Sequence, residues 1–149
     1  MSEPDSLYQK AILDHAKAAV GAGKLEAAQG RATVDNPICG DRVTVEVALG
    51  EDGRVTALGH TVRGCVLCAA TASVLGADAP GHTPAELRAA AQAFDAMIRE
   101  GAPTPEGWPG LDAFTPVHEA KSRHECVLLP FEALDKAMAD AGEPAEPAA

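Results

Sequence analysis

The spacing of apolar residues changes along the chain, and each change marks an element. Leu7, Tyr8, Ala11, Ile12, Ala16, Ala19 and Val20 recur at helical spacing. That predicts an amphipathic helix from Ser6, closed by Gly21-Ala22-Gly23. Leu25 to Val34 carries little pattern and reads as an edge strand. Asp35-Asn36-Pro37 is a turn signal. From Arg42 to Val47 the period becomes two, with Val43, Val45 and Val47 on one face and Arg42, Thr44 and Glu46 on the other. This is the pattern of a half-buried strand. Glu51-Asp52-Gly53-Arg54 predicts a hairpin turn, and Val55 to Val62 is the returning strand.

Gly64 breaks that strand, and Cys65 opens a helix of small residues running to about Gly76. Thr83-Pro84-Ala85-Glu86 has the form of a capped helix start: a hydroxyl cap, Pro at the first helical position and an acid three residues after the cap. That helix reaches about Glu100. Gly101 to Trp108, rich in Pro and Gly, is loop. Leu111, Phe114 and Val117 are the anchors by which the next segment docks onto the core. A last helix starts near Cys126 and carries Leu128, Leu129, Phe131, Leu134 and Met138. There is no internal repeat. The elements add up to one α+β domain over residues 1–141, a small antiparallel three-stranded sheet packed by helices. The Pro-rich stretch 142–149 is expected to be a disordered tail.

Composition narrows the function. A length of 149 residues with 46% hydrophobic content supports a real core. Aromatics are only 3%, so that core is expected to be built from Ala, Val, Leu and Ile. A formal net charge of -10 argues against nucleic acid as a partner, because phosphate binding needs a basic face. The opening MSEPDS has neither a basic n-region nor an apolar h-region, so no signal peptide is expected. No apolar run approaches the ~20 residues that span a bilayer. A cytoplasmic protein is the resulting expectation. Thiols stay reduced there, so four cysteines read as metal or redox chemistry rather than as two disulfides.

Those cysteines are Cys39, Cys65, Cys68 and Cys126, with Asp41 two positions after the first. A thiolate is a soft ligand for zinc, iron or copper(I) and also a nucleophile. Antiparallel pairing of the hairpin brings Cys39 and Cys65 to the same end of the sheet. Cys65 also begins a helix, where free N–H groups favour a thiolate. Periodicity does not say whether Cys126 joins them. Cys65-Val66-Leu67-Cys68 taken alone suggests a redox pair, but no βαβ pattern surrounds it. Cys68 therefore reads as a small core residue or an alternate thiol.

Three motifs in order carry a resemblance over about Leu7 to Met138. Asp35-Asn36-Pro37-Ile38-Cys39-Gly40-Asp41 resembles the NP-x-CGD signature of the IscU/SufU/NifU N-terminal scaffold family. Gly64-Cys65 followed by Ala70-Thr71-Ala72-Ser73 resembles its second cysteine segment. Arg123-His124-Glu125-Cys126 followed by Leu129 and Ala133-Leu134 resembles its third. The resemblance implies a small antiparallel sheet packed by helices. It implies ligands at Cys39, Asp41, Cys65 and Cys126 that hold zinc or a [2Fe-2S] cluster. It implies a cysteine desulfurase that delivers persulfide sulfur, and a downstream iron–sulfur carrier. In scaffold members the final acceptor corresponds to Cys126, and in SufU-type members to Cys39.

The chain departs from parts of the family pattern. The 60 residues between Cys65 and Cys126 are long, as in SufU-like members. IscU members carry a His directly before the last cysteine, where this chain has Glu125, with His124 one position earlier. The LPPVK stretch of IscU is replaced by His118-Glu119-Ala120-Lys121-Ser122. His124 is a candidate ligand, a group that tunes Cys126, or an exposed histidine. Arg123 is a candidate counter-charge for a thiolate or Asp41, or a solvated surface cation. Trp108 and Phe114 are expected to pack locally. Three function classes follow. The leading one is a cluster-assembly scaffold that accepts persulfide sulfur, and the alternative is a zinc-dependent sulfurtransferase. The third is a structural zinc module that stimulates no desulfurase.

Overall fold

Three antiparallel strands in the order β1-β2-β3 form the sheet of the computed structural model, which describes residues 9–38 and 40–142. They are β1 Gly30–Asn36, β2 Asp41–Leu49 and β3 Val55–Arg63. The helices are α1 Lys10–Ala18, α2 Val66–Asp78, α3 Pro84–Glu100 and α4 His124–Asp140, with 3₁₀ segments at Pro109–Glu119 and Lys121–Arg123. The fold is α+β, as the sequence pattern predicts. Leu7, Tyr8, Cys39 and residues 143–149 of the expected tail lie outside the described residues.

The alternation in β2 sets the two faces of the sheet. Val43, Val45 and Val47 are buried. The opposite face is polar, with Thr33 and Thr44 hydroxyls 2.8 Å apart and Arg42 paired to Asp35 at 2.7 Å. Helix α4 lies across β1 and β2, and α2 packs against α1, α4 and β3. The capped start at Thr83 holds as predicted: its hydroxyl accepts from the Glu86 N–H, and the Glu86 carboxylate accepts from the Thr83 N–H at 2.8 Å. Leu111, Phe114 and Val117 are all fully buried.

Two boundaries differ from expectation. The edge strand begins at Gly30 and runs through Asn36, past the Asp35-Asn36 turn signal. Asp35 faces Arg42 and Asn36 faces Asp41 across the ladder, and these partners outweigh local turn preference. Helix α1 stops at Ala18, because Ala19 adopts a left-handed conformation at φ 46° and its N–H bonds to the His15 carbonyl. Val20 is then free to donate to the Ser73 hydroxyl at 3.0 Å and accept from His60 Nε2 at 2.8 Å. Most of the buried core is Ala, Val, Leu and Ile, as expected. Phe94, Phe114, Phe131 and Trp108 are all buried and form one cluster, with ring centroids 5.4–6.1 Å apart, that ties α3, the long 3₁₀ segment and α4 together. Aromatics are few, but the helical layer is centred on them.

Candidate functional site

Asp41 is the first residue of β2, on the core face, and only 2% exposed. The β2–β3 register ends at Arg42 opposite Arg63, so one step further sets Gly64 beside Asp41. Contact there is so close that a Cβ on Gly64 would overlap the carboxylate, lying 2.7 Å from Asp41 Cγ. Glycine at this position therefore makes room for the Asp41 side chain. The next residue, Cys65, is the N-cap of α2 with extended backbone. Its N–H donates to Asp41 Oδ1 at 3.0 Å, and its Sγ lies 3.6 Å from Oδ2. The carboxylate so occupies the positive end of the helix, where an anion is favoured.

Cys126 comes from the other side. Helix α4 begins at His124, and Cys126 sits in its first turn, fully buried. The ligand atoms of Asp41, Cys65 and Cys126 lie within 4.8 Å of one another. Three elements distant in sequence thus deliver one carboxylate and two thiols to one point at the end of the sheet.

Cys39, the fourth residue expected here, lies outside the described residues. The loop around it is set by its neighbours. Gly40 takes φ +76°, its N–H bonds to the Asn36 carbonyl at 2.8 Å, and the Asn36 side-chain oxygen accepts from the Ile38 N–H at 3.1 Å. Positive φ is open to glycine at no steric cost, which is what this tight β1–β2 connection requires. Ile38 is 90% exposed, the most exposed large apolar residue described.

The accessory candidates separate. Cys68 is fully buried in the core below Cys65 and is not in the converging group. Arg123 is half-buried at the N-cap of α4. His124 is buried, and its Nε2 pairs with the His118 carbonyl at 3.1 Å. His118 Nδ1 in turn pairs with the Ile98 carbonyl at 2.9 Å. Glu125 turns outward to Arg99 of α3 at 2.7 Å. The two residues before Cys126 therefore tie α4 to the end of α3 and to the segment after it. Neither the His124–His118 contact nor the Arg99–Glu125 pair is expected from the sequence. Nothing in local spacing announces either contact. Trp108 and Phe114 pack locally as expected. Among the described residues no helix is long and apolar enough to cross a membrane.

Residues 7–100 match the NifU-like N-terminal domain family. The chain is 34% identical over 77 residues to two iron-sulfur cluster assembly scaffold proteins of Archaeoglobus fulgidus, IscU 1 and IscU 2. That alignment covers 52% of this chain and 50% of each relative, so the chain spans about half the length of the curated relatives it matches. Among solved structures it is similar to the N-terminal part of a nitrogen-fixing NifU-like protein from Brucella abortus. The TM-score is 0.88 at 36% identity, covering 95% of this chain and 98% of that one. It is also similar to a scaffold protein for the SUF system from Fervidobacterium islandicum AW-1. There the TM-score is 0.81 at 25% identity, covering 90% and 98%.

Proposed function

The chain belongs to the NifU-like N-terminal domain family, and from that premise we propose that it is an iron–sulfur cluster assembly scaffold. In this reading one of its thiols accepts persulfide sulfur from a cysteine desulfurase, at a metal or cluster site formed by Cys39, Asp41, Cys65 and Cys126. The observation that carries the reading is the convergence of Asp41, Cys65 and Cys126 within 4.8 Å. Sulfurs about 2.3 Å from one tetrahedral ion stand roughly 3.8 Å apart, so the group has the scale of one coordination sphere. The donor chemistry fits as well: two thiols suit zinc or iron, and one harder oxygen makes the set less tightly matched to a soft metal.

Sulfur transfer is thiolate exchange. An acceptor thiolate attacks the outer sulfur of the donor persulfide, a new S–S bond forms, the donor S–S bond breaks, and the donor thiolate leaves with the electron pair. Cys126 is fully buried, whereas Ile38 and Gly40 on either side of Cys39 are exposed. That contrast supports Cys39 as first acceptor. Arg123, at the head of α4, is the accessory cation for the thiolates. Sulfide and iron are then the cargo, handed to a downstream iron–sulfur carrier.

The second reading is a zinc-dependent sulfurtransferase that stimulates the desulfurase and builds no cluster. The fixed position of Asp41, held by the Cys65 N–H and the close approach of Gly64, supports it, because a locked fourth ligand favours a retained ion. One experiment separates the two. Protein purified without air is assayed for zinc, iron and acid-labile sulfide, and for its effect on desulfurase turnover. Iron and sulfide in equal amounts support the scaffold. Near-stoichiometric zinc with strong stimulation supports the transferase. Neither metal nor stimulation overturns both.

A further inference from the structure

The polar face of the sheet carries an unusual row beside the site. Asp35, Arg42 and Arg63 are in register across β1, β2 and β3, so two arginines stand directly opposite each other. Like charges in that arrangement repel and destabilise a ladder. One carboxylate serves the two: Asp35 pairs with Arg42 Nε at 2.7 Å. Arg63 is exposed, and its side chain makes no hydrogen bond or ion pair among the described residues. A cavity of about 360 Å³ is lined by Asp35, Gly40, Arg42, Arg63 and Gly64. Arg42 directly follows Asp41, and Arg63 is two residues before Cys65. The surplus cation therefore lies at the same end of the sheet as the thiol group but on the face opposite Asp41, in a cavity that reaches Gly40 and Gly64, on a chain whose net charge is -10.

We propose that Arg42 and Arg63 form a cationic docking contact for a carboxylate-bearing segment of the protein that delivers sulfur to this site. The assignment rests on the sulfur-acceptor reading given above. An exposed ion pair is too weak in water to hold a free small carboxylate at low concentration. The same pair on a docking protein needs no separate immobilisation, and its main effects are on orientation and on encounter rate. Fixing the partner at the end of the sheet aims its sulfur at the loop between Ile38 and Gly40. Gly40, where an added Cβ would meet nothing within 4 Å, leaves the cavity open beside the loop. On an acidic chain, this local positive spot also discriminates between orientations of a partner.

The test measures association of the full chain with a persulfide-loaded cysteine desulfurase, for the wild type, Arg63→Glu and Arg63→Lys, at low and high ionic strength. Thermal unfolding of each variant checks the fold, and Arg63→Gln replaces Arg63→Glu should the latter not fold. Charge reversal is expected to slow association about tenfold at low salt, with most of the difference lost at high salt. The lysine variant is expected to stay near wild type. Free glutamate, as the small-carboxylate probe, is expected to leave association unchanged at concentrations that do not alter ionic strength. An unchanged rate in Arg63→Glu, an equal loss in Arg63→Lys, or competition by free glutamate would each overturn the docking contact while leaving the proposed function standing. No association of the wild type would overturn the proposed function, and the docking contact with it.

Discussion

Replacing Gly64 by alanine tests the construction of the site more sharply than removing a ligand. The added Cβ would overlap Asp41 Oδ1 and lie 2.7 Å from Cγ and 3.0 Å from Cβ. Two responses are open. The backbone at the β3–α2 junction moves, at the 1–3 kcal/mol typical of overpacking, roughly. Or the carboxylate swings away and loses its bond to the Cys65 N–H, a charge-assisted bond worth about 1.5–3 kcal/mol. The chain takes the cheaper, so the expected destabilisation is about 2 kcal/mol, or roughly 4–8 °C in Tm for a domain of this size. Either response takes Asp41 out of the group it forms with Cys65 and Cys126, so zinc affinity should fall by about one to two orders of magnitude. Competition with a chromophoric chelator measures that loss, and calorimetry the stability. Gly110→Ala is the control, since its Cβ would meet Val74 only at 3.4–3.5 Å, ordinary contact. In an Asp41→Ala background the carboxylate is absent, and Gly64→Ala should cost clearly less. Wild-type zinc affinity in Gly64→Ala, or full additivity with Asp41→Ala, would refute the reasoning.

Three further outcomes are expected. Phe94→Ala removes the ring that touches both Phe114 and Phe131, and should destabilise by about 3–5 kcal/mol in denaturant unfolding. Thr83→Ala deletes the hydroxyl that accepts the Glu86 N–H, and should cost about 1 kcal/mol with α3 still formed by circular dichroism. Burial holds the His60 imidazole below its ordinary 6.5, only partly offset by its bond to the Val20 carbonyl. The unfolded chain then takes up a proton that the folded chain resists. Stability should decline as pH falls below about 6.5 and level off below the folded value, with a shallower decline in His60→Gln when unfolding midpoints are followed against pH.

What was legible in the sequence was local. The alternation of Val43, Val45 and Val47 and the Thr83-Pro84-Ala85-Glu86 cap each involve residues a few positions apart, and both elements form where they were expected. The misplaced boundaries all have distant causes. Ala19 ends α1 because Ser73 and His60, far along the chain, capture Val20. Asn36 stays in a strand because Asp41 pairs with it across the ladder. The site divides in the same way. The hairpin argument set Cys39 and Cys65 at one end of the sheet from pairing alone, and Asp41, two residues after Cys39, lies beside Cys65 there. The arrival of Cys126 depends on how α4 lies over β1 and β2, which no spacing encodes. Gly64 was read as a strand breaker, while its structural role is to leave room for a carboxylate on the neighbouring central strand.

The residues before Cys126 bear on which metal chemistry this donor set can support. A histidine next to the last cysteine would offer a nitrogen as an exchange ligand. Here Glu125 is held by Arg99, which also pairs with Asp95 at 2.8 Å, and His124 is held by the His118 carbonyl. Turning either side chain toward Cys65 would break a contact that anchors α4 to α3 or to the segment between them. Among the described side chains Asp41 is then the one donor other than sulfur in the converging group. As the one hard donor, Asp41 would be the ligand a soft ion releases most readily, yet it is held by the Cys65 N–H on one side and the close approach of Gly64 on the other. A site whose labile ligand is held in this way would give up metal slowly unless a partner's approach moved the β3–α2 junction. That junction lies one residue from Arg63, so the proposed docking contact and ligand release would act on the same short piece of backbone.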